Sequence, residues 1–120
     1  MLHNEFVNYG VYSIYDETLN QFGFPFIAEN DSQVLRKCAA DFILYDDVVL
    51  SDVKVFEIGQ FDPLTGKIDG YSTDSFHLSC TGTDILAKIK SYRIKINEAE
   101  DLARKDIEEL QKLKDSKEAN

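Results

Sequence analysis

Few side chains in this 120-residue chain have the type and spacing that chemistry demands. There are two histidines, His3 and His77, and two cysteines, Cys38 and Cys80. A metal site or an acid–base dyad needs such groups in pairs, and the sequence pairs none of them. No P-loop, dinucleotide fingerprint or nucleophile motif occurs. Asp46, Asp47 and Asp52 offer the hard oxygen ligands a divalent cation takes, but their spacing fits no calcium loop and they read as a solvated acidic turn. Lys37 is the one neighbour able to lower a thiol pKa, so both cysteines read as small buried apolar groups, free rather than bridged. The expectation is a protein that is not an enzyme and has no catalytic residue, metal or cofactor.

Two other patterns suit binding. Phe22, Phe24 and Phe26 alternate, as in a platform on which unpaired bases stack. Their flanks carry Glu17, Glu29 and Asp31 and no basic residue, which favours core packing or a protein-binding patch. The segment 85–97 holds Lys88, Lys90, Arg93 and Lys95 around Tyr92 and contains no carboxylate. It is the stretch suited to face phosphates, and its plainer reading is the solvated flank of a helix.

Charge distribution sharpens the contrast. The chain carries a net charge of −9. Residues 1–82 hold 13 acidic and 4 basic side chains, whereas 83–120 hold 9 of each. An acidic body repels phosphate backbones, so direct contact with nucleic acid would fall to the local basic segment. With 43% apolar residues the chain can bury a core, yet a domain of this size gains from burying further surface against another copy. No apolar run reaches the ~20 residues of a membrane span, and the start of the chain lacks the basic and apolar regions of a signal peptide. A cytoplasmic location with no membrane partner is expected.

The elements that must position these residues follow from periodicity. Alternation predicts a strand over 10–15, with Val11, Ser13 and Tyr15 on one face and Tyr12 and Ile14 on the other. Residues 22–26 read as an aromatic loop or edge segment, because Pro25 cannot donate to a central ladder. Asn30 or Asp31 caps a helix over 30–45 whose face is Val34, Leu35, Cys38 and Phe42. Strands follow over 53–61, 67–71 and 75–80, the first two joined by a turn that holds Pro63 and Gly66. The expected core draws on Ile14, Phe26, Leu35, Phe42, Val55, Phe56, Ile58 and Phe61.

Beyond residue 83 the period changes. Steps of four and three give a seam of Ile85, Ile89, Tyr92, Ile96, Ala99, Ala103, Asp106, Leu110 and Leu113, a coiled-coil stripe over about four heptads. Glu100 with Arg104, Asp101 with Lys105 and Glu108 with Lys112 support the helix as i,i+4 pairs. The run 91–96 also alternates, and Asn97 with Glu100 can form a fresh cap, so a strand followed by a shorter helix stays open for 83–97. The fold expected is α+β: a small, mainly antiparallel sheet with one packed helix, then a long C-terminal coiled-coil-like helix. The domains are an acidic body, 1–82, and an oligomerisation helix, 83–120, whose seam residues other than Asp106 form the interface of a homo-oligomer, expected to be a dimer.

Tyr12-Ser-Ile-Tyr-Asp16, Phe22-Gly-Phe-Pro-Phe26 with Ala28, Asn30 and Asp31, Arg36, Asp41-Phe-Ile-Leu44, and Phe56-Glu-Ile-Gly-Gln-Phe-Asp62 through Thr65-Gly-Lys-Ile68 form an ordered series. Over residues 10–71 this series resembles the small non-structural protein of gokushoviruses, single-stranded DNA phages of the Microviridae. The resemblance implies an accessory role in single-stranded DNA replication or packaging in the host bacterial cytoplasm, with DNA binding and contact with phage or host replication proteins. On this sequence the DNA contact would fall to Lys88, Lys90, Tyr92, Arg93 and Lys95. The alternative is a protein-interaction module whose acidic body binds a basic host or phage protein without touching nucleic acid.

Overall fold

Alternating side chains from Tyr9 to Asp16 form the first strand, β1, in a computed structural model that describes residues 8–44 and 50–118. β1 turns at Asp16, whose carboxylate accepts hydrogen bonds from the amides of Thr18 (2.9 Å) and Leu19 (3.3 Å), with Asn20 in the left-handed region at φ 54°. The return leg pairs with β1 twice, as β2 (Gln21–Phe22) and as β3 (Phe26–Ala28). Between them the ladder is interrupted where Pro25 has no N–H to give. The aromatic segment is therefore paired at both ends and open in the middle, where Phe24 is 97% exposed.

Helix α1 (Asp31–Phe42) starts as its sequence dictates: the Asn30 side chain accepts from the Gln33 amide at 2.9 Å. It ends before Tyr45, which lies outside the described residues, as do Asp46, Asp47 and Val48. β4 (Val53–Phe61) is the centre of the antiparallel sheet, flanked by β1 on one side and by β5 (Ile68–Gly70) and β6 (His77–Thr81) on the other. The β4–β5 turn closes through the Asp62 amide to the Lys67 carbonyl, with Gly66 at φ 75°. The last element is a single helix, α2 (Gly82–Glu118), which decides the open question over 83–97 in favour of helix. The fold is α+β, with an antiparallel sheet, a short helix and a long C-terminal helix.

α2 begins with a reciprocal cap. The Thr81 amide donates to the Asp84 carboxylate at 2.9 Å and the Asp84 amide donates to the Thr81 hydroxyl at 3.2 Å, so two first-turn amides are satisfied. Glycine at position 82 is required for a different reason: a Cβ there would collide with the Leu50 carbonyl. The chain divides into two compact units, Met1–Ile89 and Lys90–Asn120.

The core of the first unit lies between one sheet face and α1, which packs on β3 and β6. Its fully buried side chains include Tyr12, Val34, Cys38, Leu50, Val55, Ile85 and Ile89. Of the core residues expected from sequence, Val55 is fully buried, whereas Ile14, Phe26, Leu35, Phe42, Phe56, Ile58 and Phe61 are partly buried. Phe56 lies on the second sheet face and Phe26 stacks on Tyr12, the aromatic ring that is fully buried; the other fully buried side chains are aliphatic or small. Ile85 and Ile89, expected in the oligomer seam, belong to this core: the first turns of α2 complete the body rather than leave it.

Candidate functional site

The second face of the sheet is built by register. Ser13 lies opposite Phe56, Tyr15 opposite Lys54 and Phe22 opposite Tyr15, so period-two strands bring Tyr15, Phe22 and Phe56 to one side. Phe76, just before β6, joins them. The Phe22 ring lies 4.7 Å from Tyr15, 6.1 Å from Phe56 and 5.8 Å from Phe76, centroid to centroid, in tilted and edge-on arrangements. These rings line an open groove of about 360 Å³ with Glu17 and Lys54 at its rim, paired at 2.7 Å. Phe22 is 47% exposed and Leu78, opposite Phe56, is 51% exposed.

The three alternating phenylalanines thus do not form one platform. Phe22 enters the groove, Phe24 points to solvent, and Phe26 stacks on Tyr12 at 6.0 Å with the Lys37 ammonium 5.5 Å above its ring. Sequence reading missed Tyr15, Phe56 and Phe76 as their companions. Alternation put Tyr15 and Phe56 each on a definite face of its strand, but only the β1–β4 register brings the two faces together.

The opposite face carries a polar cluster. The Tyr12 hydroxyl stands 3.5 Å from carboxylate oxygens of both Asp31 and Glu57. Glu57 accepts a shorter hydrogen bond, 2.7 Å, from Tyr71, and Asp31 accepts one of 2.8 Å from Ser79. Burial, followed by the charges of Asp31 and Glu57, raises the Tyr12 phenol well above its ordinary value, and burial with the Glu57 hydrogen bond raises Tyr71. Both phenols therefore stay protonated at neutral pH and act as donors. His77 lies opposite Glu57 in the β4–β6 register and is exposed, while His3 falls outside the described residues. Among the described residues no three His, Cys, Asp or Glu side chains gather around a metal-sized site. Asp52 instead accepts a hydrogen bond from the Thr18 hydroxyl at 3.0 Å.

Cys38 and Cys80 are free and buried. Burial pushes the Cys38 thiol up from 9.0 to about 11, Asp41 adds to the rise, and Lys37 opposes it only in part. Burial pushes Cys80 up to about 12. Low thiolate content and restricted access both oppose reaction. Neither thiol is expected to react with a disulfide reagent at pH 8 on the timescale of the unfolded control, and both should react once denaturant is added. Because the folded state favours the neutral thiols, stability is held below about pH 9 and declines as pH rises toward 11 and 12. A urea titration repeated across that range checks the sign.

The basic segment lies on α2. Lys88 falls in the first unit and is partly buried; in the second, Lys90 and Lys95 are exposed and Tyr92 and Arg93 are partly buried. Helical spacing sets Lys90 and Arg93 one turn apart on the same side. The interface expected over Ile85, Ile89, Tyr92, Ile96, Ala99, Ala103, Leu110 and Leu113 divides. The first two positions are fully buried within the chain's own body, whereas Ile96, Leu110 and Leu113 are exposed. Leu102 and Ile107, 63% and 66% exposed, flank the same stripe and widen it beyond the seam read from heptads. Asp101, expected to pair with Lys105, is ion-paired with Arg104 at i,i+3 and 3.3 Å. No helix among the described residues is long and apolar enough to cross a membrane.

Comparison with known proteins locates the relationship in the body. A family model described as Phage ORF5 protein matches residues 9–84, well over half of the chain, covering the whole sheet and the cap of α2. No curated protein and no solved structure matches the chain.

Proposed function

Because the chain belongs to the Phage ORF5 protein family, we propose that it is a non-enzymatic accessory protein of a gokushovirus-type phage of the Microviridae, acting as a homo-oligomer in single-stranded DNA replication or packaging within the host bacterial cytoplasm. The observation that carries the oligomeric part is the stripe of Ile96, Leu102, Ile107, Leu110 and Leu113, each 46–66% exposed on α2. A helix with such a stripe gains by pairing it with another, and charged neighbours at flanking positions set the partner and register. Phage or host replication proteins are the other contacts this role calls for.

Lys88, Lys90, Arg93 and Lys95 with Tyr92 are the residues suited to single-stranded DNA: four cations to neutralise phosphates and a ring to stack on a base. A dimer brings two such segments, which raises avidity when both reach one strand. Sedimentation of the full-length chain at micromolar concentration is expected to show a dimer, and Ile96→Asp with Leu110→Asp should return it to monomer without altering the melting temperature of the body. Oligo(dT) binding should fall steeply with salt: for the four cations of one chain the loss from 50 to 200 mM is on the order of 50-fold. Changing those four to Gln together should abolish it while the dimer persists. A wild-type monomer would reject the oligomeric reading. Absence of oligo(dT) binding at low salt would reject the DNA contact and leave the binding role to protein partners.

A further inference from the structure

The aromatic groove on the sheet is chemically specific and lies wholly within the first unit, so it stands apart from the helix reading. Four rings, Tyr15, Phe22, Phe56 and Phe76, surround an open space and offer edges and faces to it. Edge-to-face and offset geometries are those by which one more ring is held. A volume of about 360 Å³ lies within the range of clefts that enclose a small ligand or one large side chain.

The surroundings select the charge of what enters. Lys54, the cation at the rim, is ion-paired to Glu17. Asp16 precedes Glu17, Asp52 is joined to this corner by its hydrogen bond from Thr18 and by the Glu17 amide bonding to its carbonyl, and Asp74 follows the groove residue Thr73. Glu17 and Lys54, the charged residues that line the groove, offset each other, and the neighbouring Asp16, Asp52 and Asp74 leave its surroundings negative, within a body of residues 1–82 that holds 13 acidic and 4 basic side chains. That field repels the phosphates that would accompany a stacked base and attracts Lys and Arg. Cations beside the occupant's ring can also settle against the aromatic faces. We propose that this groove is a docking site for a basic peptide segment that inserts one aromatic side chain among Tyr15, Phe22, Phe56 and Phe76, its flanking Lys and Arg meeting the acidic surface of the surrounding body.

The chain contains no tryptophan, so a peptide indole can be observed alone. A blocked Lys-Lys-Trp-Lys-Lys peptide titrated with the full-length protein is expected to show a saturable blue shift of its emission that weakens with salt, and a Glu-Glu-Trp-Glu-Glu peptide should show none. Phe22→Ala removes a half-exposed ring and should weaken binding by roughly tenfold or more, with thermal unfolding monitored alongside. A second measurement does not depend on that variant folding: amide shifts in the ¹⁵N-labelled wild-type protein should centre on Phe22, Phe56, Thr73 and Phe76. Equal affinity in a folded Phe22→Ala variant, equal binding of the acidic peptide, or shifts centred elsewhere would each overturn the proposal. Amide shifts at the same residues on adding oligo(dT) alone would reassign the rings to nucleobases, and dissociation of a dimer by the peptide would identify a second copy as the natural occupant. Either result rejects the peptide site.

Discussion

Ile89→Asp is expected to unfold the body of the protein, whereas Ile96→Asp, seven residues later on the same face of the same helix, should leave its melting temperature unchanged. The two side chains are chemically identical and share the apolar stripe of α2. Ile89 is fully buried, with Ile85 one turn earlier equally so, while Ile96 is 46% exposed. Truncating a buried isoleucine to alanine removes its transfer free energy and leaves a cavity, about 2–5 kcal/mol. Placing a carboxylate there adds the penalty of an unpaired buried charge, enough to exceed the whole stability of a small domain. Ile85→Ala and Ile89→Ala, each measured by urea unfolding, should therefore fall in the range of about 2–5 kcal/mol, with Ile85→Asp and Ile89→Asp both unfolded in buffer. The same reasoning fixes where the helix can be cut. A chain ending before Thr83 loses Ile85 and Ile89 and should not hold its fold, while one ending after Ile89 keeps every core side chain.

Gly82→Ala should destabilise, against the usual sign of that change in a helix. By helix propensity alone the substitution gains up to about 1 kcal/mol, because glycine carries the larger entropy loss. At position 82 an added methyl would overlap the Leu50 carbonyl and lie 3.1 Å from the Val53 carbonyl, both of them backbone atoms that no rotamer change can move aside. The helix start would have to lift from the body, taking the Thr81–Asp84 cap with it. Overpacking of this kind opposes the propensity gain with about 1–3 kcal/mol or more. Gly70→Ala is the control: nothing lies within 4 Å of the added atom, so its effect should be small. Comparing the midpoints of the two variants in urea separates the collision from any general consequence of replacing glycine. Equal midpoints would show that the chain relieves the overlap by a local shift.

Short-range chemistry was legible in the residues themselves. The strand over 53–61 has the bounds that period-two alternation gave it, Asn30 caps the first helix because its side chain reaches an amide three residues on, and the tail beyond 83 is helical because its apolar period is helical. Each of these depends on atoms within a few residues of one another. The Thr81–Asp84 cap was equally local and could have been found from its three-residue spacing.

What only the tertiary structure decided are the choices among residues that look alike in sequence. Phe22, Phe24 and Phe26 alternate identically, yet the interruption at Pro25 and the two separate pairings with β1 send one into an aromatic groove, one into solvent and one onto Tyr12. The helix stripe runs unbroken through Ile85, Ile89 and Ile96, but only the first two are buried. The bulge between Val11 and Tyr12 sets Tyr12 opposite Glu57, bringing a phenol and a carboxylate together from strands 45 residues apart. Periodicity assigns a side chain to a face of its own element. Which face of which element it meets is set by register, by a bulge that shifts pairing by one residue, and by how far the body extends along a helix, and these depend on contacts between residues distant in the chain.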